Sequence, residues 1–87
     1  MPEVSVDGGR LGVEPVLQFA EPGEWYRVTK DDAHSFVRVE RDAAGLLHAV
    51  TNRPKNGART QWARGKKVDD HPAMRAVETA IKQGVIK

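Results

Sequence analysis

Eighty-seven residues without a cysteine make one domain near the lower size limit for an unstapled core, and they exclude disulfides and thiolate zinc sites. Hydrophobic residues at 39% and charged residues at 30%, with no apolar run approaching a membrane span or a signal-peptide core, leave a small soluble domain with a cytoplasmic, reducing location as the default. The net charge of +2 is unevenly held, with five Lys/Arg against nine Asp/Glu in residues 1–52 and nine against three in residues 53–87, so the second part should be drawn to a polyanion or an acidic protein surface.

Residues 1–23 are punctuated by Pro2, Gly8-Gly9, Gly12, Pro15 and Pro22-Gly23. They predict a loosely structured N-terminal arm or small hairpin ahead of a single domain over residues 24–87. Val4-Ser5-Val6 and Leu11-Gly12-Val13 flank Asp7-Gly8-Gly9-Arg10 in the manner of two short strands. A lone hairpin is marginal in water, so this segment must dock or stay mobile, and Val16, Leu17 and Phe19 are the side chains suited to docking.

From Glu24 the pattern becomes regular. Residues 24–30, 35–41, 46–52 and 58–64 are short runs rich in β-branched and aromatic residues, each read as a strand. The connections are Asp31-Asp32, then Asp42 to Gly45, then Pro54 to Gly57, with Asn56-Gly57 the strongest hairpin signal. Connections this short imply antiparallel neighbours and hence a four-stranded meander. A helix over about residues 71–83 follows, with Asp69 or Asp70 as its cap, Pro72 in its first turn, and Lys82 and Gly84 at its end. Ala73, Val77, Ala80, Ile81 and Met74 fall on its buried stripe. The predicted fold class is α+β: a four-stranded antiparallel meander with one C-terminal helix packed on one face.

The turns set which side chains share a face. A two-residue turn at Asp31-Asp32 places Arg27 opposite Phe36. A four-residue loop at 42–45 places Arg38 opposite Ala49. A two-residue turn at Asn56-Gly57 places Thr51 opposite Trp62. One face then collects Tyr26, Val28, Val37, Val39, Leu46, His48, Val50 and Ala63, which suits the helix stripe. The other collects Trp25, Arg27, Phe36, Arg38, Leu47, Ala49, Thr51, Thr60, Trp62 and Arg64. One helix covers only one side of a sheet, so this second face is either open or covered by residues 1–23.

Aromatic rings stack on unpaired bases, and arginine adds phosphate and cation–π contacts. Trp25, Phe36 and Trp62 are therefore the candidate platforms. Arg27, Arg38, Arg59, Arg64, Lys66 and Lys67 are the candidate backbone contacts. The same residue types are enriched at protein interfaces, and large aromatics in so short a chain also serve simply as core.

Catalytic readings are thinner. His71 beside Asp69 and Asp70 lacks a second histidine at zinc-helix spacing, and capping explains the two aspartates better. His48 falls on the apolar face and His34 at a hairpin turn. No nucleophile elbow, phosphate loop or dinucleotide fingerprint is present. The chain reads as a non-enzymatic binding module without a metal or cofactor. It is expected to contact nucleic acid, single-stranded or distorted, through the aromatic–arginine face and the basic 53–67 segment. The alternatives are a small regulator or inhibitor docking on a larger protein, and a small basic ribonuclease of the messenger-RNA interferase kind. A homodimer is compatible with each. Across residues 24–84 the predicted β-β-β-β-α order is similar to that of the single-stranded DNA-binding transcription-coactivator domains, which dimerise and bind on a basic sheet. No motif matches, so the likeness implies no site residue.

Overall fold

The structure, a computed structural model, describes residues 3–31, 33–55 and 71–86. Asp7 and Gly8 both take positive φ, 52° and 79°, the pairing that a type I′ hairpin turn requires. Strand β1 (Glu3–Val6) and strand β2 (Gly9–Val16) close around it with Val6 opposite Gly9. The predicted hairpin therefore forms, and it does not stand alone. β2 pairs antiparallel with β3 (Glu24–Lys30), from Gly12 opposite Thr29 to Val16 opposite Trp25. β4 (Ala33–Arg41) and β5 (Leu47–Lys55) follow in order. Among the described residues the sheet thus has five strands, β1-β2-β3-β4-β5, rather than the four expected. The predicted strand over 58–64 and its Asn56-Gly57 turn lie outside the described residues.

The β3–β4 register is the predicted one, with Arg27 opposite Phe36 and Tyr26 opposite Val37. The β4–β5 register is not. Asp42 and Leu46 pair through Asp42 N–H to Leu46 O at 2.9 Å, and Gly45 N–H donates to Asp42 O at 2.9 Å. Gly45 sits at φ 85°, which makes a three-residue loop with a glycine bulge instead of a four-residue loop. Arg41 consequently lies opposite Leu47, one residue out of the expected step. A second irregularity follows, since Arg38 pairs with Thr51 while Val39 pairs with Ala49, and Val50 is left over.

A one-residue slip moves every side chain of a strand to the opposite face. Leu47 and Ala49, expected on the far side, instead pack in the core. Leu46, His48 and Val50, expected under the helix, are exposed, with Leu46 at 61% and Val50 at 40%. Beyond Val50 the alternation resets, and Asn52 is buried opposite Val37 with its amide 3.5 Å from Ser35 Oγ. β5 also continues past the expected end at Asn52 through Pro54. As the outermost described strand, it has a side on which a missing N–H is tolerated.

Helix α1 (Pro72–Lys82) carries proline at its first position, as expected, but its cap is His71. The His71 Nδ1 accepts the Ala73 N–H at 3.0 Å, doing the work assigned from sequence to Asp69 or Asp70, which lie outside the described residues. At the far end Gly84 N–H donates to Ile81 O at 3.1 Å. The buried stripe holds Ala73, Met74, Val77 and Ala80 as predicted, and Ala76 in addition, while Ile81 is half-buried. Three alanines on that stripe let the helix lie close against the sheet. It packs on Val4, Leu11, Val13, Val28, Val37, Val39 and Leu47. Arg75 pairs with Asp7 at the first turn, and Glu78 Oε1 accepts the Ala49 N–H at 3.0 Å beside the bulge.

Candidate nucleic-acid interface

The face turned away from α1 is ordered by the cross-strand partners. Glu14, Arg27, Phe36 and Arg53 form one row across β2 to β5, and Val16, Trp25, Arg38 and Thr51 form the next. Ring and guanidinium therefore alternate along each row: Arg27 and Arg53 flank Phe36, and Arg38 adjoins Trp25. Neighbouring strands lie about 4.8 Å apart, so the side chains of each row stand next to one another. The sorting of Trp25, Arg27, Phe36 and Arg38 onto one face agrees with the sequence reading. Arg53 belongs with them and was missed, because the strand was ended at Asn52.

This face is not bare. Residues 17–23 leave β2 without regular structure and arch over it before β3 begins. The Phe19 ring stacks on Trp25 with centroids 4.2 Å apart and leans on Phe36 at 5.1 Å. Trp25 donates its indole N–H to Pro22 O at 3.2 Å and is 2% exposed. The expectation of Trp25 as an open platform is therefore corrected: it is covered by one of the side chains named as suited to docking. Phe36 is half-buried beneath the same ring. Each aromatic pair adds about 0.5–1.5 kcal/mol beyond its buried area. Leu17, expected to dock, is instead 95% exposed. Between Leu17, Gly23 and Trp25 the arch leaves an open cleft of about 250 Å³.

Each arginine of this face has a glutamate. Arg27 pairs with Glu14 and Arg38 with Glu40. Arg53 meets Glu21, on the arch, through Nε at 3.0 Å and Nη2 at 3.3 Å. These pairs are partly or largely solvent-exposed, so each contributes about 0–1 kcal/mol, less in salt. Over the described residues Lys/Arg and Asp/Glu balance at nine each. The net +2 thus comes from the other residues, where Arg59, Arg64, Lys66, Lys67 and Lys87 stand against Asp32, Asp69 and Asp70, with no acid among residues 56–67. Arg59, Arg64, Lys66, Lys67 and Trp62 lie outside the described residues.

The histidines take no common site. His48 Nε2 lies 2.8 Å from Asp42 Oδ2 on the surface, not in the core as expected. That hydrogen bond, followed by the one from Leu46 N–H, lowers the Asp42 pKa below its ordinary value of 3.8. His34 Nδ1 lies 3.2 Å from Thr29 Oγ1. His71 is 3% exposed at the helix cap. Among the described residues no three His, Asp or Glu side chains gather to hold a metal ion, and no described helix is long and apolar enough to cross a membrane. Compared with known proteins, the chain matches no family model, no curated protein and no solved structure.

Proposed function

We propose that this chain is a small non-enzymatic module that binds single-stranded or distorted nucleic acid. The observation that carries the reading is the alternation of Arg27, Phe36 and Arg53, with Arg38 beside them, on a sheet face continuous in sequence with the basic 53–67 run. Arg53, Lys55, Arg59, Arg64, Lys66 and Lys67 supply the phosphate contacts, and Trp62 a ring for a base to stack on. Arginine suits this role because its planar fork can meet two phosphate oxygens at once, as the Arg53 fork meets the two carboxylate oxygens of Glu21.

The test is a titration of a labelled single-stranded oligonucleotide at several salt concentrations. If the six cations of residues 53–67 each meet a phosphate, log K falls against log salt with a slope of about −4. A Trp62→Ala, Arg64→Ala double variant weakens binding and flattens that slope. Absent binding, or binding unchanged in the double variant, retires the reading. A second reading, docking on a protein partner, is favoured by the Arg–Glu pairing across the sheet face, which leaves that face nearly neutral. Indifference to oligonucleotides would select it.

A further inference from the structure

We propose that residues 17–23 are a displaceable strap that closes an aromatic stacking surface, latched by Glu21 on Arg53, and that a single-stranded nucleic acid opens it by taking Arg53 as a phosphate ligand. This rests on the nucleic-acid reading above.

The strap is held at few points. Among the described residues it makes no backbone–backbone hydrogen bond outside the strands. Its attachments are the Phe19 ring on Trp25 and Phe36, the Trp25 indole N–H to Pro22 O, and the two-point contact of Glu21 with Arg53. Its first residue, Leu17, is 95% exposed. Its last, Gly23, holds φ 117° and passes so close to Arg38 that an added Cβ would come within 2.8 Å of the Arg38 side chain. A segment tied by one ring, one hydrogen bond and one exposed ion pair is drawn from the low-stability end of a fold.

What lies beneath differs from the main core, which is on the other side of the sheet under α1. On the strap's side the small Phe19, Trp25 and Phe36 cluster shares its face with guanidiniums whose partners are glutamates. Arg53 is both the latch and the first cation of the 53–67 run, so a phosphate that takes Arg53 displaces Glu21. Once Phe19 lifts, Trp25 and Phe36 present two ring faces between Arg27, Arg38 and Arg53. A base replaces Phe19 on Trp25, and stacking compensates for the lost aromatic contact.

The chain has two tryptophans, so a Trp62→Phe background leaves Trp25 as the only indole. In that background, acrylamide quenching and emission of Trp25 are followed while a labelled oligothymidylate is titrated, with binding read separately from the label's anisotropy. Strap opening predicts that Trp25 emission is quenched in step with the anisotropy. Glu21→Gln should raise Trp25 accessibility to acrylamide without ligand and tighten oligothymidylate binding about two- to fivefold, the closed population being smaller. Near-ultraviolet circular dichroism checks that Glu21→Gln stays folded, and Glu40→Gln, which frees Arg38 but not the strap, should leave free-state Trp25 accessibility unchanged. Binding by anisotropy with an unchanged Trp25 signal, and equal affinity in Glu21→Gln, overturns the strap and leaves the binding reading standing. No binding by wild type or by Glu21→Gln overturns both.

Discussion

Replacing Glu78 tests how the helix is fastened to the outer strand. The Glu78 Oε1 accepts the Ala49 N–H at 3.0 Å, next to the residue that the sheet skips at Val50. A hydrogen bond to a charged acceptor contributes about 1.5–3 kcal/mol net, and a partly buried site belongs at the lower end of that range. Glu78→Ala should therefore lose about 1.5 kcal/mol, which for a domain of this size lowers Tm by about 6–12 °C. Glu78→Gln keeps an oxygen acceptor without the charge and should lose about 0.5–1 kcal/mol. Urea melts followed by circular dichroism give the two values. Hydrogen exchange should show the Ala49 amide losing protection in Glu78→Ala while the amides of Val13 and Val28 keep theirs. Equal midpoints for wild type and Glu78→Ala would refute the reasoning. So would a Gln variant as damaged as the Ala variant, since the effect would then be one of charge and not of an acceptor in place.

The remaining predictions concern the core, the hairpin and one phenol. Leu11→Ala empties a side chain that is 2% exposed and should cost about 2–5 kcal/mol in a denaturant melt; a loss under about 1 kcal/mol would mean that the N-terminal hairpin is not built into the core. Tyr26 is the single tyrosine, and burial, reinforced by the Glu24 charge, raises its pKa above the ordinary 10.0. A raised folded-state value makes its contribution to stability complete below the unfolded pKa and lost as pH climbs through the folded one, so tyrosinate absorbance should rise later in the folded chain than in urea. Asp42 is shifted the other way, chiefly by His48 and then by the Leu46 N–H. Its contribution is present above the unfolded pKa and fades as pH falls through the lowered folded value. Exchange at the Leu46 amide, corrected for intrinsic acid and base rates, should therefore speed up in acid, and Asp42→Ala should show the same loosening at neutral pH. An acid-insensitive Leu46 amide would count against it.

The β3–β4 turn is legible in the sequence because a single pair, Asp31-Asp32, sets Arg27 against Phe36. The first hairpin is legible only coarsely, since the four residues Asp7 to Arg10 read as its connection while the strands close on Asp7-Gly8 alone. The β4–β5 step was misread by counting loop residues alone. The spacing from Asp42 to Gly45 is the usual signal of a type I turn completed by a left-handed glycine, and using it would have put Leu47 and Ala49 under the helix. Nothing local in Ala49-Val50-Thr51 marks the second slip, which is settled by packing against Glu78 and Val37. In the sequence His71 stands out as a candidate ligand or acid–base group, and its capping role is hidden because Asp69 and Asp70 are better cappers by type. On the far face the periodicity found Trp25, Arg27, Phe36 and Arg38. Alternation within strands carries no information about Phe19 or Glu21, which reach that face from an irregular segment.

The packing of α1 on the sheet, tied by Arg75 to Asp7 in the β1–β2 turn, sets an order on biosynthesis. Translation delivers the five described strands before the helix, at about 5–20 residues per second. Until residues 72–82 clear the ribosome, Val13, Val28 and Val37 have no helix to meet. The nascent meander must wait several seconds with its apolar side uncovered.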